Sequence, residues 1–146
     1  MLAFGKEILE LLPQRPPMVM VDSLESCDAR TVVTRLTVRD DNVFLGEKGI
    51  STSGLMECMA QTAAARTGWI LKNNPGAENK IAPIGVIGSI KHFKLHFQPV
   101  TGSVLITTVD IEYEIMQATI VRAKVETDGT LAAEAELQIF LTETEG

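Results

Sequence analysis

Apolar positions in this chain follow two different periods, and the switch between them marks out the elements. Phe4, Ile8, Leu11 and Leu12 recur near helical spacing, which predicts a short amphipathic helix over Phe4 to Leu12, ended by Pro13. Pro16 and Pro17 keep the following residues extended. Met18 to Glu25 alternates loosely and predicts a strand, with Asp28-Ala29-Arg30 as a turn. The β-branched run Thr31 to Val38 then predicts the second strand of a hairpin. A polar loop, Arg39 to Asn42, leads through Phe44-Leu45-Gly46 to the longest helical pattern of the chain. Within Gly46 to Trp69, Leu55, Met56, Met59, Ala60, Ala63 and Ala64 leave almost no polar face, so this helix is expected to be enclosed on nearly every side. Ser51, Thr52 and Ser53 are N-cap residues by type, and the helix should start within that triplet. Its pattern begins to fail at Gly68, and Asn73-Asn74-Pro75-Gly76 stops it.

After a polar connection, Lys72 to Lys80, the period becomes that of strands. Ile81 to Phe97 is long for one strand, and Gly85 and Gly88 predict a bulge or a close backbone contact inside it. Val104 to Tyr113, Ala118 to Glu126 and Leu131 to Leu141 follow, the last two joined by a Thr127-Asp128-Gly129 hairpin turn. The order is short helix, hairpin, long helix, four antiparallel strands. Burying one helix with one sheet requires the sheet to curl around it. The pattern therefore predicts an α+β hot-dog fold, a long central helix wrapped by a curved antiparallel sheet of five to six strands, in one domain over 1–146. Such a sheet keeps an unpaired edge, which a second copy can cover. A homodimer is expected, with room for higher assembly.

Composition narrows the classes. A net charge of -6 is not that of a nucleic-acid binder, whose surface carries a basic excess. Apolar runs such as Met18 to Val21 are too short to span a membrane, and the acidic residues in the first twelve positions do not suit a signal peptide. Two cysteines, Cys27 and Cys58, make neither a disulfide framework nor a zinc site, and read as buried free thiols in a reducing, cytoplasmic setting. No metal and no cofactor is called for.

The chemistry concentrates in the central helix. Glu57 and Gln61 stand one turn apart in its apolar stretch, and a charged carboxylate there costs several kcal/mol unless it is satisfied. It is either bonded by Gln61 or a backbone amide as a structural group, or kept for proton transfer. The amides of Gly49, Ile50, Ser51, Thr52 and Ser53, at the helix start, are suited to hold a polarised carbonyl, because the helix dipole favours negative charge there. His92 and His96, spaced i and i+4 in a strand, are expected on one face opposite Phe93, Leu95 and Phe97, turned to solvent or to a partner. They lack a third ligand nearby for a metal. Lys91, Lys94 and Arg15 form a modest basic set.

Three stretches resemble the bacterial 3-hydroxyacyl-acyl-carrier-protein dehydratases. Leu11-Leu12-Pro13-Gln14-Arg15-Pro16-Pro17-Met18-Val19-Met20-Val21-Asp22 is similar to the family's opening motif, with Gln14 where that motif has a histidine. Met56-Glu57-Cys58-Met59-Ala60-Gln61 is similar to its helix motif, and Thr127-Asp128-Gly129 through Ala133-Glu134-Ala135-Glu136-Leu137 to its closing one. The family's catalytic histidine lies in a Gly-His-Phe-Pro motif before the helix. Here that region is the shorter Phe44-Leu45-Gly46-Glu47-Lys48-Gly49, with Glu47 in the histidine's place. The short loop and Glu57-Cys58-Met59-Ala60-Gln61 resemble more closely the dehydratase-like proteins of aryl-polyene clusters.

The resemblance implies a hot-dog dimer acting on a 3-hydroxyacyl group carried by acyl carrier protein or coenzyme A. Glu57 would be the general acid/base, Gln61 its neighbour in the site, and the helix start the carbonyl site. Hot-dog thioesterases are similar and need no histidine. A third reading is a non-catalytic acyl-binding protein that kept the fold.

Overall fold

The structure, a computed structural model, describes residues 1–73 and 84–142. The polar connection expected over 72–80 and the start of the long strand at Ile81 lie mostly outside the described residues, as does the tail beyond Thr142.

Strand β1 (Ala3–Phe4) and helix α1 (Lys6–Leu11) come first. Gly5, at φ +61°, takes the left-handed backbone that separates them, so Phe4 belongs to a strand and not to the helix its spacing suggested. Strands β2 (Ser23–Cys27) and β3 (Thr31–Thr37) form the expected hairpin. Its turn is held by the Asp28 carboxylate, whose Oδ1 accepts from the amides of Arg30 and Thr31 at 2.8 Å each. Those two bonds hold the Asp28 carboxyl below the usual carboxylate range. Two short strands, β4 (Leu45–Gly46) and β5 (Gly49–Ile50), make a small ribbon ahead of helix α2 (Thr52–Lys72). The remaining strands are β6 (Ile84–Leu95), β7 (Val104–Ile115), β8 (Ala118–Thr127) and β9 (Thr130–Thr142).

All pairings are antiparallel, in the order β1-β2-β3-β7-β8-β9-β6. The main sheet has seven strands, more than the five to six expected, because the two residues of β1 also pair with β2. The hot-dog arrangement is as expected. Asp128 and Gly129 both take positive φ, 52° and 74°, the signature of the two-residue turn that matches strand twist.

Alternation gives the sheet an inner and an outer face. Val32, Leu36, Leu105, Val109, Val121, Val125 and Leu137 are buried beneath α2, against its Leu55, Cys58, Met59 and Ala65. Each such side chain contributes about 1.5–3 kcal/mol on leaving water. The outer face is polar: Lys91 stands opposite Glu136, Lys94 opposite Glu134, and Arg122 bonds Glu112.

Helix α2 departs from expectation in two ways. It is not enclosed all round: Gly54, Leu55, Cys58, Met59, Gln61, Thr62 and Ala65 are buried, while Met56, Glu57, Ala60, Ala63 and Ala64 are only half-buried. It also runs straight through Gly68. A side chain there would collide with the backbone of Leu11, so this glycine lets α1 pack close and does not stop the helix.

Candidate functional site

The segment before β2 was expected to be a strand from Met18. Instead Met18 to Asp22 lies outside any strand, because its backbone bonds to a side chain. The Met20 amide donates to Gln61 Oε1 at 2.6 Å, and Gln61 Nε2 donates to the Met18 carbonyl at 2.9 Å. Gln61 is completely buried. Nε2 also donates to Glu57 Oε2 at 2.8 Å, the contact anticipated from the i, i+4 spacing. Both Nε2 hydrogens and the amide oxygen are thus committed, which fixes the amide's orientation and makes Glu57 the acceptor. Arg15 braces the start of the same segment, its Nη1 donating to the carbonyls of Leu12 and Gln14 at 2.8 and 2.7 Å.

Glu57 therefore sits on the half-buried side of α2, pinned by one oxygen. Among the described residues, its Oε1 takes no hydrogen bond. Gln14, in the place of the opening motif's histidine, is half-buried, and among the described residues its buried Oε1 has no hydrogen-bond partner.

One turn earlier lies the helix start. Of the three candidates Ser51, Thr52 and Ser53, Ser51 is the N-cap, and its Oγ accepts from the Gly54 amide at 3.2 Å. The five residues singled out for carbonyl binding do different work. The Ile50 amide donates to the Pro99 carbonyl at 2.7 Å, and the Ser51 amide to the Phe44 carbonyl at 2.9 Å. Gly49, at φ +126°, is pressed against the carbonyls of Gln98 and Pro99, where no side chain fits. Gln98 Nε2 donates to the Ile50 carbonyl at 3.1 Å, so loop 97–103 clamps the helix entrance. Thr52 and Ser53 are the first two helical residues, whose amides have no intrahelical acceptor. Thr52 is half-buried and Ser53 exposed. Glu47, in the place of the resembled histidine, lies exposed at the tip of the β4-β5 ribbon.

The two histidines do not share a strand face. Lys91 opposes Glu136 and Lys94 opposes Glu134, so His92 and Phe93 together oppose Ala135 in a bulge. The bulge turns Phe93 toward the core beside Ile90 and leaves His92 exposed at φ +55°. Leu95, expected inside, remains 43% exposed near the strand end. His96 lies beyond β6, exposed, with Nε2 3.1 Å from Glu134 Oε2. Sequence reasoning missed the Met18–Met20 backbone in the site and the bulge at His92. No residue pattern announces a backbone acceptor, and a bulge without glycine leaves only a broken alternation as its trace.

Known proteins share this fold. The chain is 29% identical over 144 residues to the 3-hydroxyacyl-[acyl-carrier-protein] dehydratase of Ruminiclostridium cellulolyticum, covering 94% of this chain and 96% of that protein. The dehydratase heterocomplex ApeI:P from Xenorhabdus doucetiae has a similar fold, with TM-score 0.79 at 18% identity over 94% of this chain and 91% of that one. A hypothetical thioesterase from Streptococcus pneumoniae, solved with coenzyme A, is similar at TM-score 0.66 and 12% identity, covering 85% and 88%. The family model described as ApeP dehydratase matches residues 6–145, and the chain belongs to this ApeP-like dehydratase family.

Proposed function

We propose that the protein removes water from a 3-hydroxyacyl thioester, with Glu57 transferring the proton and the amides of Thr52 and Ser53 holding the thioester oxygen. The observation that carries this reading is the Glu57 carboxylate, fixed by Gln61 yet half-exposed, one turn from an open helix start. The reaction takes a proton from the carbon beside the carbonyl, so enolate charge grows on the oxygen as the hydroxyl departs. Donors at a helix N-terminus stabilise that charge, and a held carboxylate supplies acid/base catalysis. Ile50, Ser51 and Gly49 shape this entrance and Gln61 positions the carboxylate. Acyl carrier protein or coenzyme A carries the acyl group, a choice supported by the curated relative's name and by the coenzyme-bound fold neighbour.

The assembly we propose is a dimer joined along β6, the long outer strand of the sheet, whose outer edge pairs with no strand among the described residues and can be extended by another. The ApeI:P heterocomplex makes a different hot-dog subunit the rival partner.

A thioesterase reading draws on the coenzyme-bound fold neighbour, because a carboxylate that activates water needs no histidine. One experiment separates the two. The purified protein is given 3-hydroxyacyl and enoyl thioesters, beside a Glu57→Gln variant, and products are followed by mass. Loss or gain of water that stops in the variant is the expected result. Release of free acid makes the protein a thioesterase, and no product at all leaves acyl binding as its function.

A further inference from the structure

The Glu57 carboxylate and the first turn of α2 are each held by a residue from outside the helix. Met20 supports the carboxylate: its amide donates to Gln61 Oε1 at 2.6 Å, and Gln61 Nε2 donates to Glu57. Phe44 supports the helix start. Its carbonyl accepts from the Ser51 amide at 2.9 Å, and it lies so close over Gly54 that a Cβ there would come within 2.6 Å of the Phe44 Cβ. One side chain touches both supports. Asn42 Oδ1 accepts from the Phe44 amide at 2.9 Å, and Asn42 Nδ2 donates to Met20 Sδ at 3.2 Å. A thioether is a weak acceptor, so the second contact orients more than it stabilises. With its oxygen and nitrogen on different partners, the Asn42 amide has one way to face. The residue is half-buried between the exposed Asp41 and Val43. Its backbone is fixed as well, the amide donating to the Arg39 carbonyl at 3.2 Å and the carbonyl accepting from the Leu45 amide at 3.1 Å.

Resting on the dehydratase reading above, we propose that Asn42 is a positioning residue, which ties the Glu57 clamp and the carbonyl-binding turn of α2 into one unit. It acts through other groups: Met20 and Gln61 on one side, Phe44 on the other. Gln61 has both nitrogen hydrogens and its oxygen committed, so a shift of Met20 passes through it to Glu57. A displacement of about 1 Å at a reacting group can cost roughly 10²-fold in rate, which gives a distant tie its leverage.

Two substitutions separate the ties. Asn42→Ala removes both, while Asn42→Asp keeps the oxygen that accepts from Phe44 and loses the donor to Met20. With a 3-hydroxyacyl thioester, kcat should fall about tenfold in Asn42→Ala and about threefold in Asn42→Asp, with KM within about twofold of wild type. Asn42→Asp, which has nearly the native shape, carries the test if the alanine variant does not fold. Thr62→Val, which loses buried bonds outside both ties, is the control for lost stability and keeps its turnover. A merely structural role is separated by placing Asn42→Asp in the Glu57→Gln background. The Met20 tie ends on Glu57, so no further loss is expected there, and a full additional threefold loss overturns the proposal.

Amide hydrogen exchange reads the same ties without turnover. The Met20 and Ser51 amides should exchange about tenfold faster in Asn42→Ala, while the Ile111 amide, bonded to the Arg30 carbonyl at 2.7 Å, should not change. Unchanged exchange at either Met20 or Ser51 overturns the link between the two supports. Native kcat in both Asn42 variants overturns the role of Asn42 and leaves the dehydratase reading standing. Wild type inert toward every thioester removes the dehydratase reading, and any part for Asn42 in it.

Discussion

Gln61 and Thr62 are adjacent in sequence and both fully buried, yet they belong to two different kinds of polar network. Thr62 Oγ1 donates to the Cys58 carbonyl at 2.6 Å and lies 2.7 Å from Thr34 Oγ1. Since the Thr62 proton is spent on Cys58, the Thr34 hydroxyl must be the donor between the two. Every hydrogen is used, and the chain of bonds closes between helix and sheet. Gln61 is equally saturated, but its network opens at one end, on a carboxylate that one chain covers only in part. A closed buried network fixes packing; one that ends on a half-exposed carboxylate fixes that group while leaving part of it open to solvent. The difference arises from a rotation of about 100° between neighbouring residues on one helix.

Breaking the open network at its end should give the largest effect. Glu57→Gln is expected to cut dehydration by about 10²-fold or more with little change in melting temperature, measured by turnover beside thermal unfolding. Gln61→Leu removes the clamp and strands the Met20 amide and the Met18 carbonyl. It should cost about 2–4 kcal/mol in denaturant titration and reduce turnover as well, since Glu57 loses its anchor. Thr62→Val cuts the closed network with nearly conserved volume. About 1–2 kcal/mol of stability should go, with turnover unchanged, and equal loss of both in the two variants would erase the distinction between the networks. Ser51→Ala, at the helix cap beside the proposed carbonyl site, should cost about 1 kcal/mol by the same titration.

The smallest effect concerns pH. Burial pushes the Cys58 thiol up to about 12 from its ordinary value near 9.0, with the neighbouring Glu57 charge adding to it. A raised thiol is held neutral by the fold, so its contribution is intact below pH 9 and is lost as pH climbs from there toward 12. Thermal unfolding followed across that window should fall less steeply in Cys58→Ala than in the native chain. Below pH 9 the two curves should run parallel.

The stretch Leu11 to Asp22 shows where the sequence misleads. Alternation in Met18 to Glu25 is a fair strand signal, but a strand needs a partner, and the backbone at Met18 and Met20 found one in Gln61. That pairing joins residues more than forty positions apart, and no local pattern encodes it. Gly68 misleads for a related reason: its value lies in the approach of Leu11 from another helix. The i, i+4 pair of Glu57 and Gln61, by contrast, was fully legible, because helix geometry alone brings such residues together.

The order of the two helices, the hairpin and the four closing strands, the hot-dog wrapping, an N-cap within Ser51 to Ser53 and the turn at Asp128-Gly129 were determined by the sequence itself. Each depends on periodicity, on capping chemistry or on backbone preference within a few residues. Tertiary structure alone decided which side of α2 stays open, which amides at its start remain available, and where the broken alternation in β6 places His92. Those outcomes depend on what packs against each group from elsewhere in the chain: Pro99 on Ile50, Phe44 on Ser51, Ala135 against the bulge. Such partners are chosen by the folded geometry, in which distant residues compete for the same donor, acceptor or volume.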